Sequence, residues 1–136
     1  MTEVGAQGVP RKLLRLESLA VLVGAVTVYA LSHDNWLVFA VLLLTPDLAM
    51  LGFMAGPRVG AFCYNTVHTY LGPVALLGYS FVRPEVQPYA LIWLAHVAMD
   101  RALGYGLKYG TSFSETHLGR IGALRRPSGA KAPSTS

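Results

Sequence analysis

Polar side chains interrupt stretches that are otherwise apolar: Glu17, Asp47, Asn65, His68, His96, Asp100 and Arg101. His96 and Asp100 are four residues apart and Asn65 and His68 are three apart, so each pair shares one face if the segment is helical. Neutral imidazole together with carboxylate suits Zn²⁺, Mn²⁺ or Fe²⁺, and helical bundles build such sites from residues at this spacing on facing helices. His68 and His96 could converge with two or three of the carboxylates Glu17, Asp47 and Asp100. Glu17, Asp47 and Asp100 outnumber Arg101, which leaves an excess of negative charge that a cation would offset. The alternative is that one carboxyl stays protonated. The single cysteine, Cys63, excludes an intrachain disulfide, a paired-cysteine redox site and a cysteine-built zinc knuckle.

The elements that position these residues follow from composition. The chain has 136 residues, 53% hydrophobic and only 13% charged, with a mean hydropathy of +0.44. That length holds one domain, and the charge content is about half that of an ordinary soluble domain. Four stretches are long enough to cross a hydrocarbon core of about 30 Å: Leu13 to Leu31, Trp36 to Met54, Ala61 to Val82 and Val86 to Leu107. Their short separators, Ser32 to Asn35, Ala55 to Arg58 and Arg83 to Glu85, read as turns and make neighbours antiparallel. The expected fold is therefore all-α, a polytopic membrane protein with an up-down bundle of four transmembrane helices. Residues 1–10 and 123–136 read as tails on either side of a membrane domain over 11–122.

Lys and Arg near span ends stay on the cytoplasmic side. Arg11, Lys12 and Arg15 flank the start of the first span, Arg58 lies between the second and third, and Lys108, Arg120, Arg125, Arg126 and Lys131 follow the fourth. This distribution places both termini in the cytoplasm, and it accounts for the net charge of +4 without nucleic acid. A signal peptide is the weaker reading of the first stretch, because Glu17 interrupts it.

An ionisable group inside a span costs at least ~2.5 kcal/mol, so each needs a partner or a purpose. Counted from the cytoplasmic ends, Glu17, Asp47, His68, Asp100 and His96 all lie about 4 to 11 residues in, roughly 6 to 16 Å deep. One shared site in the inner half of the membrane explains that coincidence. Helix-locking hydrogen bonds and ion pairs would explain the residues singly. Beyond the fourth span, Tyr105 and Lys108 fall at headgroup level and His117 lies in a segment able to fold back beneath the bundle.

Pro46-Asp47-Leu48, Tyr64-Asn65-Thr66-Val67-His68-Thr69, the run His96 to Tyr109 and Thr116-His117-Leu118-Gly119 resemble the small bacterial membrane family catalogued as domain of unknown function 4260. The resemblance covers about Leu13 to Gly122 and implies a multi-pass protein of the bacterial inner membrane. The order of Asp47, His68 and His96-x-x-x-Asp100 is also similar to inner-membrane metal-dependent hydrolases, although Leu48 stands where those proteins tend to carry a second Asp. That pattern implies Asp47, His68, His96 and Asp100 as ligands. A hydrolase acting on a lipid or isoprenoid phosphate or ester would use Arg101 and Lys108 against substrate charge, and Glu17 or His117 as proton carrier. Tyr64, Asn65 and Tyr105 would contact the substrate. A metal-free alternative has Asp47 or Glu17 protonating an isoprenoid, with aromatic residues facing the cation, as in a terpenoid cyclase. A proton or cation transporter would need a homo-oligomer, and a scaffold would need only the helix-locking contacts.

Overall fold

The computed structural model describes residues 8–105, together with 115–116 and 119–120. Its helices are α1 (Gly8–Ser32), α2 (Trp36–Leu43), a 3-10 helix (Thr45–Ala55), α3 (Pro57–Val67), α4 (Leu71–Tyr79), a 3-10 turn (Pro84–Val86) and α5 (Gln87–Leu103). Two short strands, Glu115–Thr116 and Gly119–Arg120, pair antiparallel with Glu115 opposite Arg120. Gly8–Ser32 and Trp36–Ala55 are each long and apolar enough to cross a membrane.

The chain winds around α5. This helix buries Ala90, Leu91, Ile92, Ala95, His96, Val97 and Ala98, and its alanines allow neighbouring backbones to come close. The first helix packs along it through a narrow stripe: only Ser18, Ala25 and Tyr29 of α1 are buried, at helical spacing. The rest of α1 presents exposed Leu and Val side chains, as a helix facing lipid would. Tyr29 forms the core with Leu91 and Ile92, and its hydroxyl donates to the Asn35 carbonyl at 2.8 Å. Asn35 then caps α2, its side chain accepting the Val38 N–H.

The second and third apolar stretches are not continuous α-helices. In the second, α2 gives way to a 3-10 helix at Thr45, because Pro46 has no N–H to continue the ladder; the Asp47 N–H instead reaches the Leu44 carbonyl at 3.2 Å. In the third, α3 ends at Val67 and α4 starts at Leu71. Pro73 sits in the first turn of α4, where its missing N–H is tolerated, but an unbroken helix would require that N–H for the Thr69 carbonyl. Side chains of α5 take up carbonyls freed at the break. Trp93 Nε1 donates to Val67 O at 2.7 Å, and the Arg101 guanidinium to His68 O at 3.4 Å.

Glycine lets these broken segments approach closely. A Cβ on Gly60 would fall 2.1 Å from the Phe53 ring, one on Gly52 2.9 Å from Cys63 Cβ, and one on Gly72 2.4 Å from the Trp93 ring. The 3-10 helix therefore lies directly against α3, and α4 against α5. The fourth stretch ends earlier than its hydropathy suggests, at Leu103 instead of Leu107. Gly104 takes the left-handed conformation (φ 98°), its N–H going to Arg101 O and that of Tyr105 to Asp100 O at 2.8 Å. Both bonds of a Schellman cap are present, and they fix the backbone at Asp100.

Candidate metal centre

Three separate parts of the chain deliver four donors to one point. Asp47 comes from the first turn of the 3-10 helix, His68 from the break after α3, and His96 and Asp100 from successive turns of α5. The two imidazole Nε2 atoms are 3.0 Å apart. Asp100 Oδ2 is 3.3 Å from His68 Nε2 and 3.4 Å from His96 Nε2. Asp47 Oδ1 is 3.5 Å from both, and all four donor atoms lie within 4.8 Å of one another.

A tetrahedral ion with bonds of about 2.0–2.1 Å to N and O has ligands about 3.3 Å apart. Five of the six donor separations here run from 3.0 to 3.5 Å. Two neutral imidazoles and two carboxylates would also neutralise a divalent cation. Hydrogen bonds alone satisfy this arrangement poorly. A proton between two Nε2 atoms serves one pair, while both carboxylates accept from the same two nitrogens.

The surroundings fix the orientation of the His68 ring. The Tyr64 carbonyl accepts both the His68 backbone N–H at 2.9 Å and its ring Nδ1–H at 2.9 Å. An acceptor at Nδ1 requires the proton there, which leaves Nε2 with a free lone pair for a metal. The Tyr64 ring stacks on His68 with centroids 3.7 Å apart and planes 7° from parallel. Its hydroxyl reaches Asp100 Oδ2 at 3.4 Å. The other imidazole is held less tightly: His96 is fully buried, and its Nδ1 makes no hydrogen bond among the described residues.

Access is one-sided. The His96, His68 and Asp100 side chains are 0%, 3% and 14% exposed, whereas Asp47 is 43% exposed. An ion or small molecule arriving at the cluster meets Asp47 first. Arg101 stands beside it with its guanidinium carbon 4.6 Å from the centre of the Tyr70 ring, and the Tyr70 hydroxyl bonds Ser18 on α1 at 3.2 Å.

Of the residues picked out from the sequence, Asp47, His68, His96 and Asp100 converge, Tyr64 touches two of them, and Arg101 holds the His68 carbonyl. Asn65 is half-buried on α3 and is not among the four donors. Glu17 is exposed on α1, outside the cluster. Tyr105 contributes its backbone N–H to the cap of α5, and its side chain is 43% exposed. Lys108 and His117 lie outside the described residues. Sequence reasoning missed the supporting role of main-chain carbonyls 64, 67 and 68. Pro73 was the signal that could have found the break between α3 and α4.

No curated protein and no solved structure matches this chain significantly. The family model described as "Domain of unknown function (DUF4260)" matches residues 11–121, which takes in every described residue of the cluster and nearly all of the helical body. The chain belongs to the DUF4260 family.

Proposed function

We propose that this protein is a four-span inner-membrane metalloenzyme, holding one divalent transition ion on Asp47, His68, His96 and Asp100 and hydrolysing a lipid or isoprenoid phosphate or ester. The observation that carries the reading is the near-tetrahedral spacing of four donors brought together from three segments. Zinc fits two imidazoles and two carboxylates at this spacing best, with Mn²⁺ and Fe²⁺ the other ions of matching ligand preference. The Lys and Arg distribution supports cytoplasmic termini, and the one basic residue of the third separator, Arg83, is opposed by Glu85 at 3.7 Å.

An ion in such a site lowers the pKa of a bound water and polarises a phosphoryl or carbonyl oxygen. The chain's own groups supply the remainder. His68 and His96 are buried, and His68 is oriented from behind by the Tyr64 carbonyl, so they form the fixed side of the site. The half-exposed Asp47 is the donor that can shift to admit a water or substrate oxygen. Arg101 is the cation next to the cluster, suited to charge developing on a phosphate or ester. Hydrolysis of isoprenyl phosphate and of phosphatidate by detergent-purified protein tests this. Turnover should disappear with chelator, return with zinc or manganese, and be absent in Asp100→Asn. Turnover indifferent to chelator would favour acid catalysis by a carboxyl, as in a cyclase.

One observation favours a second reading. Two of the four ligands sit where spans are broken, and interrupted helices are the usual framework of ion sites in transporters. That reading requires an oligomer and predicts zinc uptake into proteoliposomes, which a hydrolase would not produce.

A further inference from the structure

A second feature lies away from the metal cluster, on the face shared by α1 and α5. There the structure has a surface groove of about 490 Å³, within the ~300–1,000 Å³ typical of small-molecule sites. Lys12 and Arg15 stand at one end, and Leu16, Leu19, Met99 and Leu103 form its walls. Leu16, Leu19 and Leu103 are 62%, 46% and 61% exposed, so no described residue covers them. From Lys12 to Leu22, which closes the far end, α1 rises about 15 Å, which is half of a ~30 Å hydrocarbon core. The groove thus has the length of one leaflet, with its cations where the headgroups of that leaflet lie.

Among the described residues of α1, the charge at that end is not balanced: Arg11, Lys12 and Arg15 are accompanied by a single acid, Glu17. Arg15 commits only its Nε, which donates to the Ala102 carbonyl at 2.8 Å near the end of α5, and its terminal amino groups carry four further donors. Arg11 approaches the same helix end, its guanidinium 3.7 Å from where a Cβ on Gly104 would lie, and its Nε is buried without a hydrogen-bond partner.

We infer that the α1/α5 groove is a binding site for one anionic phospholipid, its phosphate between Lys12 and Arg15 and one acyl chain along Leu16, Leu19, Met99 and Leu103. Basic residues flanking a gap between membrane helices on the cytoplasmic side hold anionic headgroups by this combination of charge and chain contact. A zwitterionic lipid of the same chains offers equal apolar contact, so the preference for net negative charge comes from the two cations.

Native mass spectrometry of the full chain in detergent, titrated with phosphatidylglycerol or phosphatidylcholine of identical chains, tests this. The wild type should retain one phosphatidylglycerol about tenfold more strongly than phosphatidylcholine. Lys12→Gln with Arg15→Gln should abolish the preference. Leu19→Trp, which fills the groove without touching the cations, should displace both lipids and leave bound metal unchanged. Because Arg15 also holds the end of α5, Lys12→Gln alone is measured beside the double variant, and it should lose part of the preference. Equal retention of the two lipids by the wild type, or an undiminished preference in all three variants, would overturn the assignment. A phosphatidylglycerol effect that instead tracks dimer formation would mean that a second copy of the chain occupies the groove, which also overturns it.

Discussion

Replacing Asp100 by asparagine separates a metal site from a cluster of ion pairs by whether its effect on stability depends on zinc. The substitution keeps the shape and the acceptor facing the Tyr64 hydroxyl, now 3.4 Å away, and removes one of the two carboxylate charges near the imidazoles. Structural zinc sites contribute about 10–16 kcal/mol over four ligands, or about 3 kcal/mol each, so losing one ligand weakens binding about 100-fold. Zinc at 100 times the wild-type Kd stabilises the folded wild type by about 2.7 kcal/mol, and leaves a 100-fold weaker variant with about 0.4 kcal/mol. In chelator the two proteins should differ by less than about 1 kcal/mol, because in that state the asparagine removes a carboxylate that has no cation to pair with. Thermal unfolding of detergent-solubilised protein, followed by circular dichroism with zinc and with chelator, reads both differences. If His68 and His96 are instead charged partners of structural ion pairs, Asp100→Asn loses about 3–5 kcal/mol in chelator. That loss, with a wild type indifferent to zinc, would refute the reasoning.

Three further outcomes are expected. Pro46→Ala restores an N–H where α2 gives way to the 3-10 helix, so the α-helix can run on and carry Asp47 away from His68 and His96, and zinc affinity measured by calorimetry should fall about 10- to 100-fold. Gly60→Ala places a Cβ 2.1 Å from the Phe53 ring; forcing the 3-10 helix from α3 should cost about 1–3 kcal/mol in thermal unfolding and reduce bound metal as Asp47 moves from His68. Glu17→Gln, on the exposed face of α1, should leave metal content and zinc affinity within error of the wild type.

The membership of the four-residue cluster was legible in part because some of its signals are local. An ionisable residue within an apolar stretch stands out by its cost, and the four-residue spacing of His96 and Asp100 places both on one face of any helix. Asp47 and His68 joined them through depth and through the order of motifs. What hydropathy could not convey is which stretch lies at the centre. The segment Trp36–Ala55 is apolar apart from Thr45 and Asp47 yet has no buried residue, while α5 carries His96, Asp100 and Arg101 and is the most buried of the described elements. Membrane helices reverse the soluble expectation, since lipid-facing surfaces are at least as apolar as the interior. The breaks were obscured for a related reason: apolar residues resume at Leu48 and continue across Tyr70 to Leu77, so composition runs on where the backbone changes course. Pro46, Gly72-Pro73 and Gly104 mark those points, each by a specific backbone requirement that a hydropathy window averages away.

The most direct test of the central claim is the metal content of detergent-purified protein, by inductively coupled plasma mass spectrometry, for wild type, His68→Ala and His96→Ala. After loading with zinc and removal of free ion, the account predicts one ion per wild-type chain and a loss of nearly all of it in both variants. No zinc, manganese or iron retained by wild type, or equal retention by all three proteins, would contradict it.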